Sequence, residues 1–239
     1  MIEPIYDRDG ITIYNADCLD VLPIIEADVL ISDPDYGVGI NYTKRASGIN
    51  ANEVDGPGSL KAEDADALLA AMLNSVRVRK PSGLLFWSGS VARLDAFKST
   101  VEMSGWRRHH MGIWYKPNGA GPSGNGLARR FEPWFWVVQG DGKPQRDGEW
   151  GFLPDCIDIS RVVPGHNEAC DHPTQKPLEL MRRLMLFFTK PDDIVLDPFM
   201  GSGTTLRAAK DLGRRAIGIE LNRDYCDIAI QRMSQGVLL

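Results

Sequence analysis

Short apolar runs alternate along the chain with longer stretches in which apolar residues recur every three or four positions. The runs are rich in Val, Ile, Leu and Trp and are bounded by Asp, Gly, Asn or Lys, which is the pattern of buried strands. The pattern predicts seven strands, at residues 11–17, 28–33, 83–89, 111–116, 134–138, 193–197 and 216–220.

The longer stretches have the apolar spacing of helices. They predict helices at residues 62–79, 90–105, 177–189 and 204–213. Because strands and helices alternate, the sequence predicts an α/β fold built on a doubly wound, mostly parallel, seven-stranded sheet.

Three stretches lack a regular apolar pattern and interrupt this fold as loop insertions. Residues 39–58 and 118–133 are rich in Gly, Asn and Pro with basic residues embedded, and residues 140–177 have no clear period. Long loops in a compact domain are usually functional or disordered.

Composition and charge narrow the class of protein. A chain of 239 residues with 43% hydrophobic residues can bury the core of a single domain. A net charge of -5 argues against binding of nucleic acid by bulk charge, although a local basic face remains compatible with it. The charged, proline-interrupted N-terminus and the lack of a long apolar run predict a cytoplasmic protein without membrane segments. Four scattered cysteines without a CxxC pair imply reduced thiols and no metal site: Cys18, Cys156, Cys170 and Cys226.

Two glycines form the most specific candidate binding site. Gly201 and Gly203 lie in a turn between a strand that ends at Asp197 and a helix that begins at Thr204. Glycines at such a turn let a ligand approach the backbone and the helix N-terminus. Glu220 ends the next strand, 19 residues after Gly201, the spacing at which an acidic side chain reaches ribose hydroxyls. The sequence therefore predicts a nucleoside site across these strand ends.

Two other interpretations of the glycine turn stay open at this point. Phosphate binding is the weaker one, because the turn has neither the Gly-Lys-Ser/Thr of a Walker loop nor the third glycine of the dinucleotide fingerprint. A tight turn without a ligand, followed by a solvated strand end, also fits the pattern.

Three motifs together resemble one family. "DPFMGSGTT" (197–205) followed by "AIGIELN" (216–222) is similar to the S-adenosylmethionine site of DNA amino-methyltransferases, "SDPDY" (32–36) resembles their catalytic Asp-Pro-Pro-Tyr, and "HPTQKP" (172–177) completes the match. The catalytic motif precedes the cofactor motif, which is typical of the family's permuted beta group. The resemblance implies one Rossmann-like methyltransferase domain over residues 1–239, with a catalytic half at about 1–139, a short target-recognition insertion at 140–171 and a cofactor half at 172–239.

The resemblance assigns the cofactor contacts residue by residue. Glu220 would bind the ribose hydroxyls, Leu221 would pack on adenine, Asp17 would reach the adenine amine, and Lys176 would lie near the cofactor carboxylate, where a point positive charge is useful. The residues implied to surround the methionine and adenosine parts are Asp197, Phe199, Gly201, Ser202, Gly203 and Thr204.

The resemblance also assigns the catalytic residues. Asp33 and the Pro34 carbonyl would accept the two hydrogen bonds of the target amine and direct its lone pair at the methyl group. Tyr36 would stack on the base, which must leave the duplex to reach the cofactor. The family usually has proline where this chain has Asp35. Asp at the first catalytic position favours the N6 amine of adenine, and N4 of cytosine is the alternative.

Double-stranded DNA is the implied partner. The basic residues predicted to contact it locally are Lys44, Arg45, Arg129 and Arg130. The basic stretch at 106–110 is a further candidate, in a loop. The insertion at 140–171 is short for an independent reading domain, so we expect a short recognition sequence, modest selectivity, or a second subunit in a homodimer.

Other functions remain compatible with these residues. Methylation of cytosine carbon 5 is disfavoured, because none of the four cysteines follows a proline as its nucleophile usually does. An RNA substrate, a non-catalytic module disabled by Asp35, and a nucleotide-dependent dehydrogenase on the same layered sheet stay open.

Overall fold

One mixed sheet organises the molecule. The computed structural model describes residues 2–34, 62–86, 93–119, 130–143, 145–148, 150–170, 172 and 174–236. Nine strands of these residues form the sheet in the order β1-β2-β9-β8-β3-β4-β6-β5-β7. They are β1 (Tyr6–Arg8), β2 (Ile11–Asn15), β3 (Val29–Ser32), β4 (Ser82–Phe86), β5 (Trp106–Tyr115), β6 (Phe131–Gln139), β7 (Cys156–Asp158), β8 (Ile194–Asp197) and β9 (Arg215–Glu220).

Strand direction decides which residues share an edge of the sheet. The five central strands β2, β9, β8, β3 and β4 run parallel, and β7 runs parallel to β5. The pairs β1–β2, β4–β6 and β6–β5 are antiparallel. The carboxyl ends of the central strands therefore share one edge with the start of β6 and the end of β5. Ligands of open α/β sheets bind at that edge.

The sheet is buried on both faces. Successive side chains of a strand point to opposite faces, so Leu30 and Ile31 of β3 lie in two different apolar cores. The described residues also form six α-helices, α1 (Cys18–Val21), α2 (Ala62–Ser75), α3 (Leu94–Met103), α4 (Leu178–Phe188), α5 (Thr204–Asp211) and α6 (Arg223–Ser234), and a short 3-10 helix at Leu22–Ile24. Helices α1, α2 and α3 pack on one face, and α4, α5 and α6 on the other. The doubly wound, mostly parallel α/β fold is confirmed.

Three details differ from the sequence prediction. The sequence predicts seven strands, and the described residues form nine; β1 and β7 have only three residues each, which is too short to show a period. Helix α6 was not predicted, although Asn222 caps its start and Cys226, Ala229 and Met233 have helical spacing. The basic stretch at 106–110 is not a loop but the first half of β5, with a register shift between Arg108 and His110.

No helix in the described part of the chain is long and apolar enough to cross a membrane.

Candidate active site

Asp33 lies just beyond the buried end of β3, at the edge where the central strands end. Its carboxylate accepts a hydrogen bond from the Lys176 ammonium group, and the buried Pro34 follows it. The Asp33 side chain keeps 26% of its surface exposed, whereas Lys176 keeps 8%. The pair therefore presents a carboxylate oxygen at the surface of the site and hides the ammonium group beneath it.

The loop before α4 fixes Lys176. Gln175 is buried; its amide donates to the Glu168 carbonyl (2.8 Å), and its carbonyl oxygen accepts from the backbone N–H of Cys170 (3.1 Å). The Glu168 carboxylate then accepts from the backbone N–H of Leu178, the first residue of α4 (2.9 Å). These bonds hold Gln175 and Leu178, which flank the Lys176–Pro177 pair in sequence.

A second carboxylate shares the Lys176 ammonium group. Glu132 Oε2 of β6 lies 3.5 Å from Lys176 Nζ, and Glu132 Oε1 lies 2.7 Å from Lys116 Nζ. Burial alone would lower the pKa of Lys176, but Asp33 and Glu132 outweigh burial and raise it. Lys176 also lies 5.4 Å from the centre of the Phe86 ring. Lys176 is therefore a cation near neutral pH despite its burial.

Asp197 ends β8 next to β3 and precedes the turn that carries Gly201 and Gly203, which we call the glycine loop. Its Oδ1 accepts from Ser32 Oγ and from the backbone N–H of Phe199, both at 3.2 Å. Burial raises the pKa of Asp197 to about 7, and hydrogen bonds from Thr205, Phe199 and Ser32 oppose that rise. Asp197 therefore connects the loop to β3 from a buried position.

The glycine loop requires both of its glycines. Gly201 has φ 51° and Gly203 has φ 76°, a left-handed conformation that L side chains rarely adopt. A Cβ at Gly201 would lie 2.8 Å from His172 Nε2, and one at Gly203 would lie 2.8 Å from the Cβ of Ala229 in α6. The close approach of His172 and α6 therefore leaves no space for a side chain at either position.

Arg232 of α6 holds the loop from below. Its Nη1 donates to the carbonyl of Ser202 (2.9 Å) and to Thr204 Oγ1 (3.0 Å), and Ser202 and Thr204 are themselves buried. Burial lowers the pKa of the Arg232 guanidinium, which still remains charged. Sequence reasoning missed Arg232, although the helical spacing of α6 was a signal that could have located it.

Glu220 closes the loop at the end of β9. Its Oε2 accepts from the backbone N–H of Gly201 (3.1 Å) and its Oε1 from that of Asn222 (2.7 Å). Burial raises the pKa of Glu220, and these backbone hydrogen bonds oppose the rise. The Asn15 amide binds the carbonyls of Glu220 and Leu221 (3.0 and 2.9 Å). The Leu221 side chain remains 73% exposed beside this fixed carboxylate.

His172 forms one wall of the site. Its ring centre lies 4.5 Å from that of Tyr225, and Nδ1 is buried without a hydrogen-bond partner in the described part of the structure. Burial, followed by the charges of Lys176 and Arg232, lowers the pKa of His172 to about 4. His172 is therefore neutral near neutral pH.

The remaining candidates divide into those that the structure describes and those that it does not. Asp17 caps α1, its carboxylate accepting from the backbone N–H of Leu19 at 2.9 Å. Arg130 is exposed, and its Nη1 donates to the Pro117 carbonyl at 2.7 Å. The predicted positions that lie outside the described residues are Tyr36, Lys44, Arg45 and Arg129, together with Asp35.

The strand edge thus combines two kinds of chemistry. The glycine loop and Glu220 place carboxylate oxygens beside the exposed apolar side chain of Leu221, a combination that suits a flat, hydroxyl-bearing molecule. Asp33 offers a hydrogen-bond acceptor next to it, on the neighbouring strand. No group of three or more His, Cys, Asp or Glu side chains among the described residues is arranged to hold a metal ion.

Comparison with known proteins identifies the family. The sequence model of the N6/N4 methyltransferase family, described as DNA methylase, matches residues 27–231. The chain is 28% identical to type II methyltransferase M2.LlaDCHI of Lactococcus lactis subsp. cremoris, over 99% of this chain and 94% of that protein.

Two solved structures support the same assignment at the level of the fold. The crystal structure of the M1.HpyAVI–SAM complex is 26% identical, covers 94% of this chain and all of its own, and gives a TM-score of 0.68. The cytosine-N4-specific PvuII DNA methyltransferase shares the fold at a TM-score of 0.75, with 17% identity over 99% of this chain and 91% of its own. Because the family model spans β3, the loop before α4 and the glycine loop, the chain belongs to the DNA methylase family.

Proposed function

We propose that the protein transfers a methyl group from S-adenosylmethionine to the N6 amine of adenine in double-stranded DNA. The observation that carries this proposal is the position of Asp33: a carboxylate at the end of β3, hydrogen-bonded to Lys176 and joined through Ser32 and Asp197 to the glycine loop. Asp at this position, as in the adenine enzymes that the chain resembles, favours adenine over cytosine.

The described residues fit S-adenosylmethionine. Gly201 has no side chain of its own to cover its backbone, which lets a ligand approach the loop closely. Each Glu220 oxygen accepts one backbone N–H, which leaves lone pairs on both oxygens for ribose hydroxyls. Exposed Leu221 offers apolar surface for the adenine ring. Phe199, Gly201, Ser202, Gly203 and Thr204 would line the rest of the site, with Asp197 beneath them and Asp17 toward the adenine amine.

For methyl transfer, the main task of the protein is to align the target amine with the methyl group. S-adenosylmethionine supplies, when bound, a methyl group on a positively charged sulfur. Asp33 accepts one hydrogen bond of the target amine and the Pro34 carbonyl accepts the other, so the nitrogen lone pair points toward the methyl group. Proline's restricted φ helps to fix that carbonyl. The residues direct the nucleophile and form no covalent bond to the base.

The target adenine must leave the DNA helix to enter this edge of the sheet. Tyr36 stacks on the extruded base in this proposal, an interaction worth about 1–3 kcal/mol. Lys44, Arg45, Arg129 and Arg130 contact phosphates. We further propose that the enzyme acts in a bacterial or phage-infected cytoplasm, and that a homodimer extends its short recognition surface.

One experiment tests reaction, base and catalytic residue together. Purified protein is incubated with unmethylated genomic DNA and S-adenosylmethionine, and the nucleosides are then quantified by mass spectrometry. We expect N6-methyladenine, lost in Asp33→Ala and kept in Asp147→Asn, which removes a carboxylate at the opposite edge of the sheet. N4-methylcytosine would establish the alternative base. Confirmed cofactor binding without any methylated nucleoside would instead support an RNA substrate or a module disabled at Asp35.

A further inference from the structure

Four charged side chains from separate elements form a continuous line at the catalytic edge. Lys116 follows β5, Glu132 lies in β6, Lys176 precedes α4, and Asp33 follows β3. Lys116 Nζ lies 2.7 Å from Glu132 Oε1, Lys176 Nζ lies 3.5 Å from Glu132 Oε2, and Lys176 binds Asp33. The signs alternate, so the four formal charges cancel.

Because these charges are largely buried, a change in any one of them should strongly affect the others. Lys116 and Lys176 are both buried, and the Glu132 side chain is largely covered. Charge interactions are far stronger in such surroundings than in water, and a buried charge that loses its partner is costly. The position of the Lys176 ammonium group is therefore set by competition between Asp33 and Glu132.

Glu132 and Lys116 both affect how well Asp33 can accept a hydrogen bond, because each changes the position of Lys176. If Glu132 lost its charge, Lys176 would pair with Asp33 alone, and the carboxylate would become a weaker acceptor for the target amine. If Lys116 lost its charge, Glu132 would interact more strongly with Lys176 and would draw it away from Asp33. Both changes would displace or weaken the acceptor without touching the base.

We propose that Glu132 and Lys116 are positioning residues for methyl transfer, which act on Asp33 through Lys176. This inference rests on the proposed function, in which Asp33 accepts a hydrogen bond from the target amine. It adds two residues to the site that no motif in the sequence identifies.

The opposite edge of the sheet provides a matched control. There Lys80 lies between two carboxylates, 2.5 Å from Asp193 and 2.9 Å from Asp147. The Lys80 cluster contains no residue of the proposed site. Asp147→Asn therefore removes one of two carboxylates from a lysine, as Glu132→Gln does, but away from the chemistry.

The decisive variant is the double substitution Glu132→Gln/Lys116→Met. It removes one negative and one positive charge, so no buried charge lacks a partner, and the Lys176–Asp33 pair is kept. A purely structural role for the two residues predicts recovery of both stability and rate in this variant. A positioning role predicts recovery of the urea midpoint of unfolding while the rate stays low.

The measurements are the single-turnover rate at saturating DNA, the DNA concentration that gives half of that rate, the dissociation constant for S-adenosylmethionine, and the urea midpoint. We expect Glu132→Gln, Lys116→Met and the double variant to lower the rate about 100-fold, because a misplaced acceptor misaligns the nucleophile. The DNA concentration at half of the rate and the dissociation constant for S-adenosylmethionine should each change less than about threefold. Lys116→Arg, which keeps the charge, should recover most of the rate, and Asp147→Asn should keep all of it.

Two results would overturn the inference. One is a double variant with wild-type rate; the other is a rate loss in Asp147→Asn equal to that in Glu132→Gln. If the wild-type protein methylates no DNA, the proposed function fails, and the inference is judged on stability alone. The urea midpoints of Asp33→Asn, Glu132→Gln and their combination then decide it: non-additive shifts support coupling through Lys176, and additive shifts refute it.

Discussion

The Nε2 atom of His172 lies 2.8 Å from the point where a side chain at Gly201 would begin. The two residues come from different motifs, and the contact closes one side of the glycine loop. Because the His172 ring also packs against Tyr225 of α6, it cannot withdraw without disturbing that helix. The backbone of Gly201 is thus confined between the ring and the Glu220 carboxylate.

Gly201→Ala should therefore weaken cofactor binding. The new methyl group would strain a left-handed backbone at φ 51° and collide with His172, so the loop must move. We expect the dissociation constant for S-adenosylmethionine to rise at least about tenfold, equivalent to about 1.4 kcal/mol. Gly213→Ala is the control, since Gly213 has φ 69° but open space around it. Calorimetric titration should show near-normal binding for Gly213→Ala; equal loss in both variants would contradict a steric role for His172.

Lys176→Met should cost both stability and cofactor affinity. The change leaves the Asp33 and Glu132 carboxylates without the cation between them, which we expect to cost about 3–5 kcal/mol of unfolding free energy. Lys80→Met makes the same change between Asp193 and Asp147. Urea unfolding should show similar losses in the two variants, whereas calorimetry should show weaker cofactor binding in Lys176→Met alone. Normal cofactor binding by Lys176→Met would remove Lys176 from the cofactor site.

Leu221→Ala should weaken cofactor binding without changing stability. The side chain is 73% exposed, so its loss removes little that holds the folded state. Surface that a bound adenine covers should be worth about 1 kcal/mol, roughly fivefold in the dissociation constant. Met103→Ala, at an 87% exposed position near the opposite edge, should change neither quantity. An unchanged affinity in Leu221→Ala would mean that adenine binds elsewhere.

Two buried groups, Asp197 and His172, should change the free energy of unfolding with pH in opposite directions. Asp197 has its pKa raised from 3.8 to about 7, so the folded state holds a proton that the unfolded state releases, and stability falls as pH rises through that interval. His172 has its pKa lowered from 6.5 to about 4, so the unfolded state binds the extra proton, and stability rises with pH through that interval.

Single substitutions should separate these two contributions. From about pH 4.5 to 6.5, Asp197→Asn should gain stability as pH rises and His172→Gln should lose it, while the wild-type protein stays nearly flat. Urea unfolding at several pH values measures the slopes. If the unfolding free energy changed with pH by the same slope in all three proteins, the pKa values of Asp197 and His172 would not be shifted by burial as described.

Local patterns were enough to predict most of the fold. Each predicted strand coincides with an observed one. Five of them are the parallel strands at the centre of the sheet, which are apolar over most of their length because both faces are buried. Predicted helix ends were less accurate: the helix predicted at 62–79 ends at Ser75, since Val76 and Val78 continue the apolar spacing beyond it. The three-residue strands β1 and β7 depend on pairing with neighbours that no local pattern reveals.

Some residues of the candidate site could likewise be predicted from local sequence, and others could not. Asp33, Gly201, Gly203 and Glu220 lie at strand ends, where the sequence pattern predicted chemistry. Glu132 and Lys116 carry no motif. Glu132 contacts Lys176 directly, and Lys116 contacts Glu132, because the antiparallel pairing of β5 with β6 aligns the end of one strand with the start of the other. Such contacts follow from strand direction in the assembled sheet, which the residues themselves do not encode locally.

The order of strands in the sheet affects when each part of the site can fold. Strands β3 and β8 are neighbours, and the hydrogen bond from Ser32 to Asp197 joins residues 165 positions apart. While the chain is being synthesised, β3 can already pair with β4 but keeps an open apolar edge until β8 leaves the ribosome. Contacts this distant in sequence slow folding. We therefore expect Asp33 and the glycine loop to reach their final arrangement together, and only after β8 has been synthesised.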